Sequence, residues 1–423
     1  MKRLSGKWAV VSALCLLLAG AAQAEQISPS DLPLLPQVMQ ALDAHLLVLN
    51  AHSNLKLEQA QQRRWDSGNY EFNLRAGAAQ RQVVSAGQKL REWDVALERG
   101  VRLPNKVFID SDIGTASVAR ADFALGDAHH EAGRALLRLW FASQKERVQV
   151  SLWQQQVELL TQQAEVVAKR VKAGDAPKME ANLALAATAQ ARLALQQAEL
   201  RAQLAVNDLQ REFPLISVPN SALLNAPLAI AHDAAYWQTH ILDDNHELAM
   251  AKAHAEVQQL LAQRSRADQV PDPTVGLRYS NEMGGNEKVA GVYLTVPISF
   301  GQRNASAQIV EQQAQIAADQ SAFVERRLHS DIDAAYGQAV RSYATYLQAR
   351  EAAIAIRSNA ELIAKAYRLG EGSLADSLSA RGIAQEATLS ENLAQLNANE
   401  SRYRLELDAH QLWSREEANH EPQ

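Results

Sequence analysis

Two stretches of the chain alternate between apolar and polar residues, a pattern typical of β-strands with one apolar face. The first covers residues 70–103 and is interrupted by the turn-prone Ser85-Ala-Gly87. The second covers residues 273–300, with a turn expected at Gly284-Gly285-Asn286. Each stretch is therefore predicted to be a β-hairpin of two antiparallel strands.

Outside these stretches the apolar residues recur at three- and four-residue steps, which predicts long helices. Two helical hairpins are expected, at residues 115–212 and 306–413. A single helix is expected before the first β-hairpin, over residues 30–64. One stripe of small residues suits close helix packing: Ala187, Ala191, Ala194, Ala198, Ala202 and Ala205. Helices of about 35 to 60 residues reach about 50–90 Å, which is longer than a compact core requires.

The chain repeats its own design. A basic run, a glycine and an acid occur at Lys169-Arg-Val-Lys-Ala-Gly174-Asp175 and again at Lys365-Ala-Tyr-Arg-Leu-Gly370-Glu371. Asp43-Ala-His-Leu-Leu47 similarly recurs as Asp244-Asn-His-Glu-Leu248. The two displacements agree within a few positions, so the chain is interpreted as a tandem duplication of a unit of about 200 residues.

The domain organisation follows from these patterns. Residues 1–24 are predicted to be a cleaved signal peptide, with an uncleaved anchor as the alternative. The first repeat then covers residues 25–213, a linker 214–227, the second repeat 228–413 and a tail 414–423.

Composition excludes several classes of function. The only cysteine, Cys15, lies inside the predicted signal, so no disulfide, thiol chemistry or lipid anchor is expected in the mature chain. Removing the three basic residues of that signal takes the formal net charge from −6 to −9, which argues against nucleic-acid binding. No phosphate loop, dinucleotide fingerprint or nucleophile elbow occurs, so an enzyme is not expected.

If the hairpins span a membrane, four strands cannot close a barrel, and an open sheet edge is not tolerated in lipid. Two chains would give eight strands filled by side chains, whereas three give twelve strands and a lumen. The expected fold is mainly α with a small β part. A homotrimer would form a 12-stranded outer-membrane β-barrel continued by a periplasmic α-helical barrel.

The chain resembles the TolC-type outer-membrane efflux channels over essentially its whole mature length. Two helix-hairpin turns carry this resemblance, Arg170-Val-Lys-Ala-Gly174 and Tyr367-Arg-Leu-Gly370, together with the two β-hairpins. Two segments resemble most the heavy-metal, CzcC-like branch of this family. They are Pro271-Asp-Pro-Thr-Val275 and Val296-Pro-Ile-Ser-Phe300-Gly-Gln-Arg-Asn304.

This resemblance implies the exit duct of a tripartite pump, passively conducting substrates, heavy-metal cations in that branch, out of the cell. Its partners would be a periplasmic adaptor and an inner-membrane transporter of the resistance-nodulation-division class, with outer-membrane lipid around the barrel. The periplasmic tips, where the adaptor docks and the duct narrows, would be formed by Gly174, Asp175, Gly370, Glu371 and Gly372. Simple helix termination is the alternative for these residues.

The same resemblance implies gate residues beside the tips. A tyrosine three positions before the second glycine, Tyr367, is expected to link to the carboxylate of Glu180 and hold a closed state. Asp376 would contribute to an acidic ring just inside the tip, which favours cations. Ser379 stands where some relatives carry a second acid, so a double ring is not expected. A solvated helix face is the alternative for each acid.

No cofactor or metal site is expected. The only tight histidine cluster, His129-His130-Glu131, places neighbouring side chains on different sides of a helix, and His246 and His254 are loosely spaced. Two rival functions stay open. One is the same channel serving organic toxins or a secreted polypeptide, and the other is a periplasmic adaptor protein.

Overall fold

A computed structural model describes residues 31–298 and 301–413 of the chain. The predicted signal peptide and C-terminal tail lie outside these residues, as do Ser299 and Phe300. Among the described residues, no helix combines the length and apolar character needed to cross a membrane.

The two halves of the chain have the same order of elements. The first half contains α1 (Leu35–Asp43), α2 (Leu46–Ser67), β1 (Phe72–Val83), β2 (Gln88–Gly100), α3 (Pro104–Ala173) and α4 (Lys178–Glu212). The second half contains α5 (Ala234–Asp243), α6 (His246–Ala267), β3 (Thr274–Glu282), β4 (Glu287–Thr295), α7 (Gln302–Leu369) and α8 (Leu374–Asp408). A single 3-10 turn, Met283–Gly285, joins β3 to β4.

Equivalent helices have matching lengths. Helices α2 and α6 both contain 22 residues, α4 and α8 both contain 35, and α3 and α7 contain 70 and 68. The predicted tandem pair of long helical hairpins with two β-hairpins is thus confirmed.

Several predicted boundaries differ from the observed ones for clear reasons. The helix expected over residues 30–64 is two helices, because His45 adopts an extended backbone and its ring caps the amide of Leu47 at 3.4 Å. Helix α3 begins well before residue 115, with Pro104 in its first turn. Strand β4 ends at Thr295, since Pro297 has no amide to donate. Helix α8 ends at Asp408, two residues before the left-handed His410.

The four strands form one antiparallel sheet in the order β1-β2-β3-β4. Leu74, Leu97, Leu277 and Val292 pair directly across it and form a continuous row on one face. All four side chains are exposed, by 42% to 74%. Within the described residues β1 and β4 each pair on one side only, so the sheet has two open edges.

A buried charge network joins the sheet to the helices. The Lys106 ammonium is completely buried and lies 2.9 Å from Asp272 and 3.0 Å from Asp268. Asp272 also accepts hydrogen bonds from the Tyr70 hydroxyl and the Leu103 amide, at 2.7 and 3.1 Å. A buried lysine is tolerated only when paired in this way, so the network holds the base of the sheet against α3.

The largest apolar core lies midway along the molecule, where α3 packs against α1, the end of α4 and the end of α8. Its largest fully buried side chains are Trp140, Phe141, Phe213 and Tyr403. Toward the far end of α4 the buried positions are small, at Ala184, Ala191 and Ala198. The rest of that helix surface exposes five leucines, Leu183, Leu185, Leu193, Leu200 and Leu204. The helical arms are therefore thin and retain an apolar outer surface.

Candidate functional site at the hairpin tips

The two helical hairpins turn in the same way. Helix α3 ends at Gly174 with φ 84° and ψ 6°, and α7 ends at Gly370 with φ 81° and ψ 10°. Both glycines are in the left-handed region, where a Cβ atom is disfavoured. A Cβ at either position would meet no atom within 4 Å, so backbone conformation, and not crowding, favours glycine here.

The same two backbone hydrogen bonds close each turn. The Gly174 amide donates to Val171 and the Asp175 amide to Arg170, at 3.1 and 2.9 Å. At the second tip the Gly370 amide donates to Tyr367 and the Glu371 amide to Ala366, again at 3.1 and 2.9 Å. This is the Schellman arrangement of a helix C-terminus.

The acids that follow the glycines, Asp175 and Glu371, have exposed side chains at the extreme ends of the hairpins. Gly372 has a different role from the two turn glycines. A Cβ there would lie 3.3 Å from the Tyr367 amide nitrogen, so a small residue lets the chain pass close to the end of α7.

Tyr367 connects the two tips. Its hydroxyl donates a hydrogen bond to the Glu180 carboxylate at 3.1 Å and accepts one from the Arg170 guanidinium at 3.0 Å. The guanidinium carbon also lies 5.5 Å from the centre of the Tyr367 ring, within the range of a cation–π contact. Tyr367 and Glu180, which the resemblance pairs, are thus in direct contact.

Arg170 completes this contact, although sequence reasoning gave it no role beyond the turn motif. Burial, followed by the hydrogen bond to Glu180, raises the pKa of Tyr367 above its usual value. The hydroxyl consequently keeps its proton at neutral pH and can donate it to the carboxylate. A small apolar cluster lies beneath, formed by Val167, Ala184 and Leu374 with Tyr367 packed against it.

Asp376 does not join this contact. Its carboxylate accepts a hydrogen bond from the Ser373 hydroxyl at 2.7 Å, and its amide donates to the same hydroxyl at 3.0 Å. These two bonds cap the start of α8. The Asp376 side chain is exposed, as is that of Ser379 one turn further on.

Three histidines that are far apart in sequence also meet, well away from the tips. They are His130 on α3, His246 at the start of α6 and His410 after α8. Burial and the neighbouring His410 lower the pKa of His130 to about 3, so its imidazole is neutral at physiological pH. Metal-binding motifs are recognised in a sequence by closely spaced ligands, and these three histidines are more than 100 residues apart, so no motif indicates the cluster.

No family model matches the chain, and no curated protein is similar to it in sequence. Solved structures do match. The outer membrane protein VceC from Vibrio cholerae is 16% identical, with a TM-score of 0.70 over 89% of this chain and 94% of that one. The CmeC outer membrane channel of Campylobacter jejuni is 14% identical, with a TM-score of 0.69 over 88% and 84%. CusC is 14% identical, with a TM-score of 0.67 over 90% and 91%.

These likenesses cover most of each chain. They confirm that this protein has the fold of TolC-type outer-membrane channels, with long helical hairpins and a four-stranded antiparallel sheet.

Proposed function

We propose that this chain is the outer-membrane exit channel of a tripartite efflux pump and that three copies form the duct. The observation that carries the proposal is the four-stranded sheet with an exposed apolar row and two open edges. An apolar sheet face suits lipid, whereas open edges do not, because the unpaired backbone groups find no hydrogen bonds there. The proteins of similar fold include outer-membrane channels, which supports the same location.

Three copies remove the open edges. Strand β4 of one chain would pair with β1 of the next, giving a closed barrel of twelve strands with room for a lumen. The long hairpins would continue as a tube of twelve helices. The leucines exposed on α4, such as Leu193 and Leu200, are apolar surface that neighbouring helices would cover.

The hairpin tips would be the periplasmic end, where the adaptor docks and an inner-membrane transporter of the resistance-nodulation-division class delivers its substrate. The exposed acids Asp175 and Glu371 and the turn glycines supply a surface for docking. In this proposal the Tyr367–Glu180 contact, with Arg170, holds the closed state. Opening would require separating these groups in all three chains.

We assign heavy-metal cations as the substrate class, and this finer assignment rests on the branch-like segments at residues 271–275 and 296–304. Three copies of Asp376 near the narrowing would favour cations, since rings of carboxylates select for positive charge. The Asp376 carboxylate accepts a hydrogen bond from Ser373 and remains exposed to solvent.

Deleting the gene tests the function and the substrate together. Growth would be measured across zinc, cobalt, cadmium, nickel, copper and silver, with dyes and detergents alongside. Selective sensitivity to a group of metals, reversed by the intact gene, is the expected result. Sensitivity to dyes and detergents alone would keep the channel but discard metal cations as its substrate. Unchanged sensitivity to every compound would contradict the efflux role.

Membrane fractionation separates the channel from the adaptor alternative. An exit channel should be found in the outer membrane as a trimer that resists heating in mild detergent. A periplasmic adaptor would fractionate with the inner membrane or the periplasm, without such a trimer.

A further inference from the structure

The three histidines introduced above form a compact cluster of imidazoles. Their ligand nitrogens all lie within 4.8 Å of one another, and the Nε2 atoms of His130 and His410 are 2.8 Å apart. The ring centres of His130 and His410 are 4.2 Å apart, those of His246 and His410 are 5.1 Å apart, and those of His130 and His246 are 5.7 Å apart. Each ring therefore contacts the other two. The half-buried cluster borders a cavity of about 400 Å³.

Helix α3 carries a gap that fits one of these rings. A Cβ atom at Gly126 would lie 2.7 Å from Nδ1 and 2.8 Å from Cγ of His246. Glycine in a helix interior is less favourable than alanine because it loses more backbone freedom on folding. Here it allows the imidazole of His246 to lie directly against the backbone of α3.

The backbone at His410 is also unusual. Helix α8 ends with the hydrogen-bond pattern seen at the tips, from the His410 amide to Leu407 and from the Gln411 amide to Glu406. At the two tips the corresponding left-handed residue is a glycine, but here it is a histidine with φ 56°. A side chain kept in this disfavoured conformation points to a role for the side chain itself.

The charges around the cluster are compatible with a bound cation. Asp122 and Asp244 border the same cavity. The nearest guanidinium groups are already paired, Arg134 with Asp408 at 2.8 Å and with Glu131, and Arg404 with Asp408 at 2.8 Å. Their positive charge is therefore compensated.

We propose that His130, His246 and His410 together bind one late first-row transition-metal cation of the Zn²⁺ class. Three imidazoles and an open fourth position are a ligand set that such cations accept. With Zn–N distances of about 2.0–2.1 Å, the nitrogens should be about 3.3 Å apart. Small side-chain rotations would meet this requirement. They would lengthen the 2.8 Å separation between His130 and His410 and shorten the largest nitrogen–nitrogen separation, which is at most 4.8 Å.

The metal would link α3 of the first repeat to α6 and the end of α8 of the second. This site goes beyond the proposed exit channel and does not depend on it. Gly174 lies 44 positions after His130 on one helix, so the tip is roughly 65 Å away at 1.5 Å per residue. The site would thus act on assembly of the two repeats, away from the constriction.

Zinc titration of the intact protein tests this proposal. The mature chain, purified in detergent as it assembles and stripped with a chelator, would be titrated with zinc chloride in a calorimeter. We expect one zinc ion per chain. Cobalt(II) added in place of zinc should give the visible bands of a four-coordinate site with nitrogen ligands. The absence of saturable zinc binding, or of these bands, would overturn the proposal.

Two glycine substitutions form a matched pair. His410→Gly removes a ligand and relaxes a left-handed backbone, whereas His232→Gly makes the same change at φ 66° outside the cluster. We expect His410→Gly to weaken zinc affinity by at least about 100-fold, the upper end of losses seen for outer-shell residues, and His232→Gly to leave it unchanged. Gly126→Ala should also weaken binding by displacing the His246 ring. Wild-type affinity in both His410→Gly and His246→Asn would refute the site.

Discussion

Removing the Tyr367 hydroxyl should open the closed channel. Tyr367→Phe keeps the ring against the apolar cluster at the tips but breaks the hydrogen bonds to Glu180 and Arg170. Hydrogen bonds to charged groups contribute about 1.5–3 kcal/mol when buried. The tips are partly exposed, so we expect a loss of about 1 kcal/mol per chain after solvent screening.

Three chains that close together multiply this loss. About 3 kcal/mol per trimer corresponds to roughly a hundredfold change in the ratio of closed to open channels. Glu180→Ala should have a similar effect, and the double variant should exceed either single variant only slightly, because both substitutions remove the same contact.

Single-channel recording in planar bilayers measures the effect as resting conductance and open probability. Tyr343→Phe is the matched control, since it removes a hydroxyl from the same helix roughly 40 Å from the tip. Unchanged conductance in the Tyr367→Phe, Glu180→Ala double variant, at wild-type trimer content, would remove both residues from the gate.

Three further substitutions test the helices. Ala198 is fully buried on α4, so Ala198→Phe should destabilise the hairpin by about 1–3 kcal/mol and reduce the heat-resistant trimer seen on gels; a normal trimer would contradict the packing. Gly174→Ala should lower the thermal midpoint of unfolding, because a Cβ at this left-handed position adds about 1 kcal/mol of backbone strain. Gly174→Asn should lower the midpoint by less. Equal midpoints for the two variants and the wild type would argue against the left-handed turn. Burial, then the neighbouring Glu131 and Glu247, raise the pKa of Asp127 to about 6, outweighing Arg134 and Arg327. The pKa of Asp127 is about 3.8 in the unfolded chain, so the fold loses stability between about pH 4 and pH 6, and the full loss is present above this range. Calorimetry should therefore show Asp127→Asn to be more stable by about 1 kcal/mol at pH 7 but not at pH 4. A constant difference would refute the assignment.

The long helical hairpins could be predicted because their signals are local. The end of the first helical hairpin was predicted at its observed position, because Glu212 is followed by the prolines of the linker. The break between α1 and α2 was missed because it contains neither glycine nor proline. The recurrence of Asp43-Ala-His45 as Asp244-Asn-His246 does mark it, since each copy lies where one helix ends and the next begins.

Part of the contact at the hairpin tips could also be predicted, for a different reason. The family resemblance paired Tyr367 with Glu180, and the two side chains are in contact. Arg170 belongs to the turn motif of the first tip, and nothing in that motif indicates that its guanidinium contacts a tyrosine of the second. The cap formed by Ser373 and Asp376 has a recognisable spacing, which would have given Asp376 a structural role as well. The histidine cluster had no such signal, because tertiary packing alone brings its members together.

The two open edges of the sheet have a genetic consequence. If each chain depends on both neighbours to satisfy its edge strands, one defective subunit leaves the whole ring unclosed. A cell that makes normal and edge-defective chains in equal amounts would then hold only about one eighth fully normal rings, given random mixing of three copies. Edge mutations should accordingly behave as dominant, whereas mutations that prevent the chain from folding should be recessive.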